Sequence, residues 1–289
     1  LKRPAVAIVG AGRVGTALAV GLKAQGYEIV AVTSRTRASA CLLAGRVGAE
    51  VLAPAEAARR GDLVFITTPD DAIAGTAEAI AREGGFRAGQ WVAHTSGSLP
   101  AEVLRPAAEA GAIVFSLHPL QSFADRETAA ELLAGSFFVF EGDENAEELA
   151  RTLVADLKGS FWRLRSEAKP LYHAAACVAS NYLVSLLHFM KRLAVRAGLP
   201  EEQIMPAFLP LIQGTLRNVL ALGAVGALTG PVARGDQETI RRHKSALDPE
   251  EWEIYRVLGL YTLKIARDRG LAEEKVRALE EILGGGKNA

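Results

Sequence analysis

Leu1-Lys-Arg-Pro-Ala-Val-Ala-Ile-Val-Gly-Ala-Gly-Arg-Val-Gly-Thr16 sets an apolar run, Ala5 to Val9, directly ahead of Gly10-x-Gly12-x-x-Gly15. Ala17, Leu18, Val20 and Leu22 then recur at helical spacing. The run predicts a buried parallel strand, and the order of strand, glycines and helix is what a dinucleotide diphosphate needs. Gly10 permits the tight turn, Gly12 lets backbone N–H groups approach the phosphates, and Gly15 lets helix and strand pack closely with the helix N-terminus facing the anion. Arg13 and Val14 lie in the same turn and join the predicted cofactor contacts.

Downstream of that helix, Glu28 to Val32 predicts a second strand ending at Thr33-Ser34-Arg35-Thr36-Arg37. A site for NAD usually places an acidic side chain here for the ribose 2′-hydroxyl. This stretch offers hydroxyls and two arginines instead, chemistry suited to a 2′-phosphate. Ser34, Arg35 and Arg37 are therefore the expected contacts for NADP(H), which is favoured over NAD(H). The alternative is that both arginines are simply solvated at a helix start.

Further strands are predicted at Glu50–Leu52, Asp62–Ile66, Trp91–His94, Ala112–Leu117, Ser136–Phe140 and Ser160–Leu164, with helices between most of them. Asp62–Ile66 runs into Thr67-Thr68-Pro69-Asp70, where Asp70 or Asp71 can cap the next helix. In a doubly wound sheet this loop lies at the carboxyl edge beside the cofactor, which makes Thr67, Thr68 and Pro69 candidate contacts. The next strand delivers His94-Thr95-Ser96-Gly97, adding Thr95 and Ser96, and the one after it delivers His118-Pro119. Two histidines at corresponding strand ends can wall a pocket, or each can be satisfied by backbone.

After Arg165-Ser166-Glu167 the pattern becomes helical: about Ala168–Ala197, Pro200–Ala224, Asp236–Ala246, Pro249–Arg269 and Ala272–Leu283. The predicted architecture is an α/β, Rossmann-like, mostly parallel sheet domain (residues 1–166) followed by an all-helical C-terminal domain (167–289), with substrate expected between the halves. The first long helix carries Lys169, His173, Ser180 and Asn181. At about 100° per residue Lys169 and His173 share a face, and His173, Ser180 and Asn181 stay within about 80° of one another. Reduction of a C=O or C=N group needs a proton donor and a polar anchor, so Lys169, His173 and Asn181 are the catalytic candidates. Arg234 and Asp236, on the loop Thr229-Gly-Pro-Val-Ala-Arg-Gly-Asp236, are candidates for a substrate carboxylate together with His118; the alternative is a capped surface loop with an ion pair.

With 33 basic and 33 acidic residues, composition offers no electrostatic case for nucleic acid or an anionic membrane. Two cysteines give no disulfide framework, and no metal-ligand spacing is present. Lys2-Arg3 leads into a strand rather than a cleavable apolar helix, and Leu171–Met190 carries too many polar groups for lipid, so a cytoplasmic protein is expected. The Gly284-Gly-Gly tail is expected to fray.

The motifs Gly10-Ala-Gly12-Arg-Val-Gly15, Thr67-Thr-Pro-Asp70, His94-Thr-Ser-Gly97, Ser116-Leu-His-Pro-Leu-Gln121, Tyr172-His-Ala-Ala-Ala176 with Ser180-Asn181-Tyr182, and Thr229 to Asp236 resemble a bacterial group that joins a Rossmann-like domain to a helical domain of unknown function. The similarity covers nearly the whole chain. More distantly the chain resembles the 6-phosphogluconate dehydrogenase superfamily, which includes ketopantoate reductase, pyrroline-5-carboxylate reductase, 3-hydroxyisobutyrate dehydrogenase and prephenate dehydrogenase. Several members carry a Lys and an Asn on the first long helix, which map onto Lys169 and Asn181. The family's Lys-x3-Asn spacing becomes Lys169-x3-His173 here, and His118-Pro119 is similar to the His-Pro turn bordering substrate in prephenate dehydrogenases. The resemblance also implies a homodimer built through the helical domain. The expectation is an NADP(H)-dependent oxidoreductase acting on a small oxo or imino acid. A ketopantoate-reductase-like activity and a non-catalytic NADP(H)-binding regulator are the alternatives.

Overall fold

The computed structural model describes residues 3–284, so Lys2 of the basic pair and Gly285 and Gly286 of the tail lie outside the described residues. Two compact units are present, Leu1–Leu186 and Leu187–Ala289. The division falls inside a helix, twenty residues beyond the point where sheet gives way to helix.

The first unit is an eight-stranded sheet of order β3-β2-β1-β4-β5-β6-β7-β8. Its strands are β1 (Val6–Val9), β2 (Ile29–Thr33), β3 (Glu50–Val51), β4 (Leu63–Ile66), β5 (Trp91–His94), β6 (Ile113–Leu120), β7 (Phe137–Gly142) and β8 (Ser160–Arg163). Pairing is parallel throughout except between β6 and β7. The central strands are apolar on both sides because both faces are covered. One face packs Val6, Ile8, Leu63 and Phe65 against α1 (Arg13–Ala24), α2 (Arg37–Val47) and α6 (Glu147–Asp156) through Leu18, Leu22, Leu43, Leu149 and Leu153. The alternate residues Ala7, Val9, Val64 and Ile66 face α3 (Pro54–Arg60), α4 (Asp70–Arg82) and α5 (Arg105–Glu109) through Ala57, Ile73, Ile80 and Ala107. Each fully buried Leu or Ile contributes roughly 1.5–3 kcal/mol.

Most strands shift by a residue or two from their predicted bounds, and β6 differs most. β6 continues through His118 and Pro119 to Leu120, with His118 opposite Val139 and Pro119 opposite Phe138 of β7. Beyond the pair His94–Ser116 there is no β5 neighbour, so this end of β6 has one free side, where a proline costs no ladder bond. His118 therefore sits on the strand, two residues past the level of His94.

The unit closes with α7 (Lys169–Cys177), a π-helical turn (Val178–Tyr182) and the start of α8 (Leu183–Arg196). The second unit contains the rest of α8, α9 (Glu201–Ala227), α10 (Pro231–Arg234), α11 (Gln237–Ala246), α12 (Pro249–Asp268) and α13 (Glu273–Gly284). Its core is Val232, Ile240, Leu263, Val276, Leu279 and Leu283. α12 begins with a reciprocal cap in which Asp248 accepts from the Glu251 N–H and Glu251 accepts from the Asp248 N–H, and Arg196 pairs with the buried Glu251 carboxylate. α9 leaves helical geometry at Gly223, whose φ is 69°, close to the predicted end at Ala224. The helical stretch Glu201–Arg234 is long and apolar enough to cross a membrane by length and composition, which alone does not indicate one.

Candidate active site

The glycine turn has the geometry its spacing predicts. Gly10 takes φ 118°, and a Cβ there would lie 2.8 Å from the Thr67 carbonyl and 2.9 Å from the Thr68 nitrogen. The β4–α4 loop thus packs directly on the turn, and the Thr67 hydroxyl ties the two together by donating to the Gly10 carbonyl at 2.6 Å. A Cβ on Gly15 would meet the Gly10 oxygen at 2.0 Å. Gly12, the N-cap of α1, is different: a Cβ there would approach no protein atom closer than the Thr67 oxygen at 3.9 Å. No described residue requires glycine at this point, so the space above it is available to a ligand at a helix N-terminus. The neighbouring Thr68 Oγ1 is buried without a hydrogen-bond partner among the described residues. Both features suit a dinucleotide diphosphate. Arg13, Arg35 and Arg37 are exposed at the same end of the sheet, while Ser34, Val14 and Thr95 are half-buried.

Two predicted polar roles change. Asp70 is not a helix cap, because Pro69 is the N-cap of α4 and no side chain bonds the first turn. Instead Asp70 Oδ2 accepts from the Ser96 hydroxyl at 2.7 Å and the Ser98 hydroxyl at 2.8 Å. Ser96 Oγ also accepts from the N–H groups of Ser98 and Leu99, so its side chain holds the 96–98 turn together rather than reaching outward.

His94 is fully enclosed, at 0 % exposure. Its Nδ1 accepts from the Ser96 N–H at 3.1 Å, which leaves Nε2 to donate to the Pro100 carbonyl at 3.1 Å. Burial, reinforced by the nearby Lys169 charge, pushes its pKa down to about 4. It is a brace for the loop, not a pocket wall. Because the native pKa lies below the unfolded value, the unfolded chain binds the proton more readily between pH 6.5 and 4. Stability is expected to fall by about 3 kcal/mol across that window from this group alone. Denaturant melts of wild type and His94→Gln at pH 7 and 4.5 check this: identical acid losses would discharge His94 as their source.

Around the 96–98 turn, α7 brings up Lys169, Tyr172 and His173. Lys169 is 0 % exposed, and its Nζ donates to Ser116 Oγ at 2.6 Å and to the Ser96 carbonyl at 3.1 Å. Burial lowers its pKa to about 8 against the opposing pull of Glu141 and Asp70. Neither carboxylate touches it: Glu141 accepts from the Ala101 N–H and the Ser166 hydroxyl, and Asp70 is held by the two serines. The position before Pro170 is therefore not a solvated first turn. His173, one turn on, shares the face as the helical spacing predicts. A Cβ on Gly97 would lie 2.8 Å from His173 Cδ2 and 3.0 Å from His118 Nε2. Both imidazoles thus close on the same backbone, their centroids 6.3 Å apart. His118 Nδ1 bonds the Tyr172 hydroxyl at 2.7 Å. Burial and then Lys169 lower the His118 pKa to about 4, and burial raises the Tyr172 phenol to about 12, so both are neutral at physiological pH.

Among the sequence candidates, the structure brings together Lys169, His173, His118 and Ser96. Asn181 lies in the π-helical turn and is exposed. A helix of constant pitch keeps residue 181 near the azimuth of 173; a π turn has more residues per turn and changes that phase. Arg234 and Asp236 belong to the second unit, where Arg234 ends α10 and Asp236 caps α11 by accepting from the Thr239 N–H and hydroxyl. Residues that sequence reasoning left without a role are Gly97, Ser116 and Tyr172, and the clamp on the turn by Asp70. Ser116, two positions before His118 on one strand, shares its face, which is the signal that could have found it.

Residues 1–119 match the family model of a Rossmann-like domain, and residues 136–262 match the domain of unknown function DUF2520. Solved structures share the architecture. A protein from Bacteroides fragilis provisionally assigned as an NADP oxidoreductase is 27% identical, covering 91% of this chain and 98% of its own, with a TM-score of 0.75. A protein from Thermotoga maritima is 26% identical over 98% of this chain and 100% of its own, TM-score 0.63. An imine reductase from Myxococcus stipitatus, in complex with NADP+, is 18% identical over 98% and 95%, TM-score 0.62, a likeness of fold.

Proposed function

We infer that this chain, which joins a Rossmann-like domain to a DUF2520 domain, is an NADP(H)-dependent oxidoreductase acting on a small oxo or imino acid. The observation that carries this is the glycine turn, where the Gly12 position is left open at the N-terminus of α1 although no internal packing demands it. The assignment of the Bacteroides fragilis relative supports the choice of cofactor. When bound, a reduced nicotinamide supplies a hydride.

What this chain adds is a pair of imidazoles on the Gly97 backbone. His173 is half-buried at the rim of the turn and is the group that holds the proton for the substrate heteroatom; His118, neutral and fixed by Tyr172, orients the substrate beside it. Lys169 acts from beneath by holding the Ser96 carbonyl in place, since its ammonium is enclosed. The test is a fluorescence titration with NADPH followed by turnover assays on 2-oxo acids and cyclic imines. Binding with no turnover on any of them would favour the regulatory alternative. His173→Ala is expected to lower kcat about 100-fold while the NADPH Kd stays near wild type. Unchanged turnover would remove His173 from the chemistry.

We also propose that the protein works as a homodimer through its helical unit. α9 exposes large apolar side chains on more than one side, Leu211 and Leu222 on one and Leu216 and Leu220 on another, which water alone covers poorly. Sedimentation of wild type against Leu216→Glu/Leu220→Glu tests it.

A further inference from the structure

α1 and α2 lie side by side on one face of the sheet, and the segment 124–127, which follows β6, lies across the groove they leave. Together they enclose a cavity of about 310 Å³ whose lining includes Ala11, Arg13, Ser39, Arg46, Arg126 and Glu127. Ala11 stands between the first two glycines of the turn and Arg13 follows the second, so the cavity borders the proposed diphosphate site. Ser39 is in the first turn of α2, the helix that follows the end of β2.

Three guanidinium groups converge here without a carboxylate partner among the described residues. Arg46 donates only to the Arg126 carbonyl and Arg126 only to Ser39 Oγ, both at a long 3.4 Å. Of the two acids flanking Arg126, Asp125 is held within its own loop: its Oδ2 accepts from the N–H groups of Glu127 at 3.0 Å and Thr128 at 3.2 Å. Asp125 and Glu127, both in the lining, offset two of the three charges, which leaves the concavity with a formal charge of +1 on a chain whose formal charges sum to zero. Arg35 and Arg37, the arginines that the sequence points to for the cofactor phosphate, do not line it.

We propose that this cavity receives the 2′-phosphate of NADP(H), and that Arg46 and Arg126, with Arg13, are the residues that distinguish it from NAD(H). The inference rests on the proposed dinucleotide site and extends it. A ligand whose diphosphate lies over Gly12 has its adenosine ribose near the end of β2. A phosphomonoester on that ribose then meets the groove between α1 and α2, where planar guanidinium forks match its oxygens. Segment 124–127 becomes a specificity element brought in from the far side of the sheet.

The experiment titrates the full chain with NADPH and with NADH, using wild type, Arg46→Ala, Arg126→Ala and Arg35→Ala. All three side chains are exposed, and equal melting temperatures verify that the variants fold. Arg46→Ala and Arg126→Ala are each expected to raise the NADPH Kd about tenfold, to leave the NADH Kd within about twofold, and to weaken the salt dependence of NADPH binding. Unaltered NADPH binding in both variants, with the loss confined to Arg35→Ala, overturns the proposal and leaves the dinucleotide site intact. Equal losses for NADPH and NADH overturn it too, because the arginines would then act on the shared part of the molecule. A wild type that binds neither nucleotide overturns the underlying dinucleotide reading itself.

Discussion

Gly15→Ala is expected to destabilise the glycine turn, whereas Gly12→Ala, three residues away, is expected to leave the fold untouched and weaken ligand binding. At Gly15 a methyl group would sit 2.0 Å from the Gly10 carbonyl oxygen and 2.5 Å from Thr67 Oγ1. The first of these is backbone inside the turn and cannot step aside without moving β1 or α1. The second is the hydroxyl that ties the turn to the β4–α4 loop. Forced overpacking of this kind costs about 3 kcal/mol, equivalent to a drop in Tm of roughly 6–12 °C. Gly12 has φ −77° and ψ −169°, extended backbone open to any residue, and its Cβ would meet only the Thr67 oxygen at 3.9 Å. Alanine there should preserve Tm to within about 1 °C and raise the NADPH Kd about tenfold or more, by holding phosphate oxygens off the helix N–H groups. Thermal melts and fluorescence titrations of the two variants separate the effects. Wild-type NADPH affinity in a well-folded Gly12→Ala would sink the diphosphate site.

That contrast also marks how far the sequence could be read. The strand, turn and helix at Val6–Ala24, the sheet and the change to helices after Glu167 follow from apolar runs and glycine spacing, which are local signals. Lys169 and His173 were legible as neighbours because four residues is one turn of helix. Which of the two faces water was not, since burial depends on β5 and β6 ending beneath α7, a contact between segments 53 and 73 residues apart in the chain. The same holds for Asp70, whose partners lie 26 and 28 residues away. A carboxylate ahead of a helix looks like a cap until the serines that claim it are in place. Asn181 is exposed in a π turn, a change of helical phase that no propensity rule announces.

Lys169→Met should separate folding from catalysis at the centre of this site. The ammonium is enclosed, bonded only to neutral oxygens, and flanked by carboxylates already committed to other donors. Its pKa is lowered to about 8 because burial outweighs the pull of Glu141 and Asp70. The native pKa lies below the unfolded value of 10.5, so the charged form is penalised by about 3 kcal/mol at every pH below 8. The penalty is relieved as the pH rises from 8 to 10.5, and wild-type stability should gain from this group over that interval. Methionine fills similar volume without the charge, so the variant should be as stable at pH 7 or more stable by about 1–3 kcal/mol, with the alkaline gain abolished. Turnover should nevertheless fall about 100-fold, because the Ser96 carbonyl loses the charged one of its two donors, keeping only the Ser116 hydroxyl at 3.2 Å, and a resulting displacement of Gly97 near 1 Å against His118 and His173 costs that much. Denaturant melts from pH 7 to 10.5, run beside kcat and KM, read both halves of the claim. If Lys169→Met instead loses stability in step with activity, the lysine is an anchor of the fold, and the positioning role assigned to it is wrong.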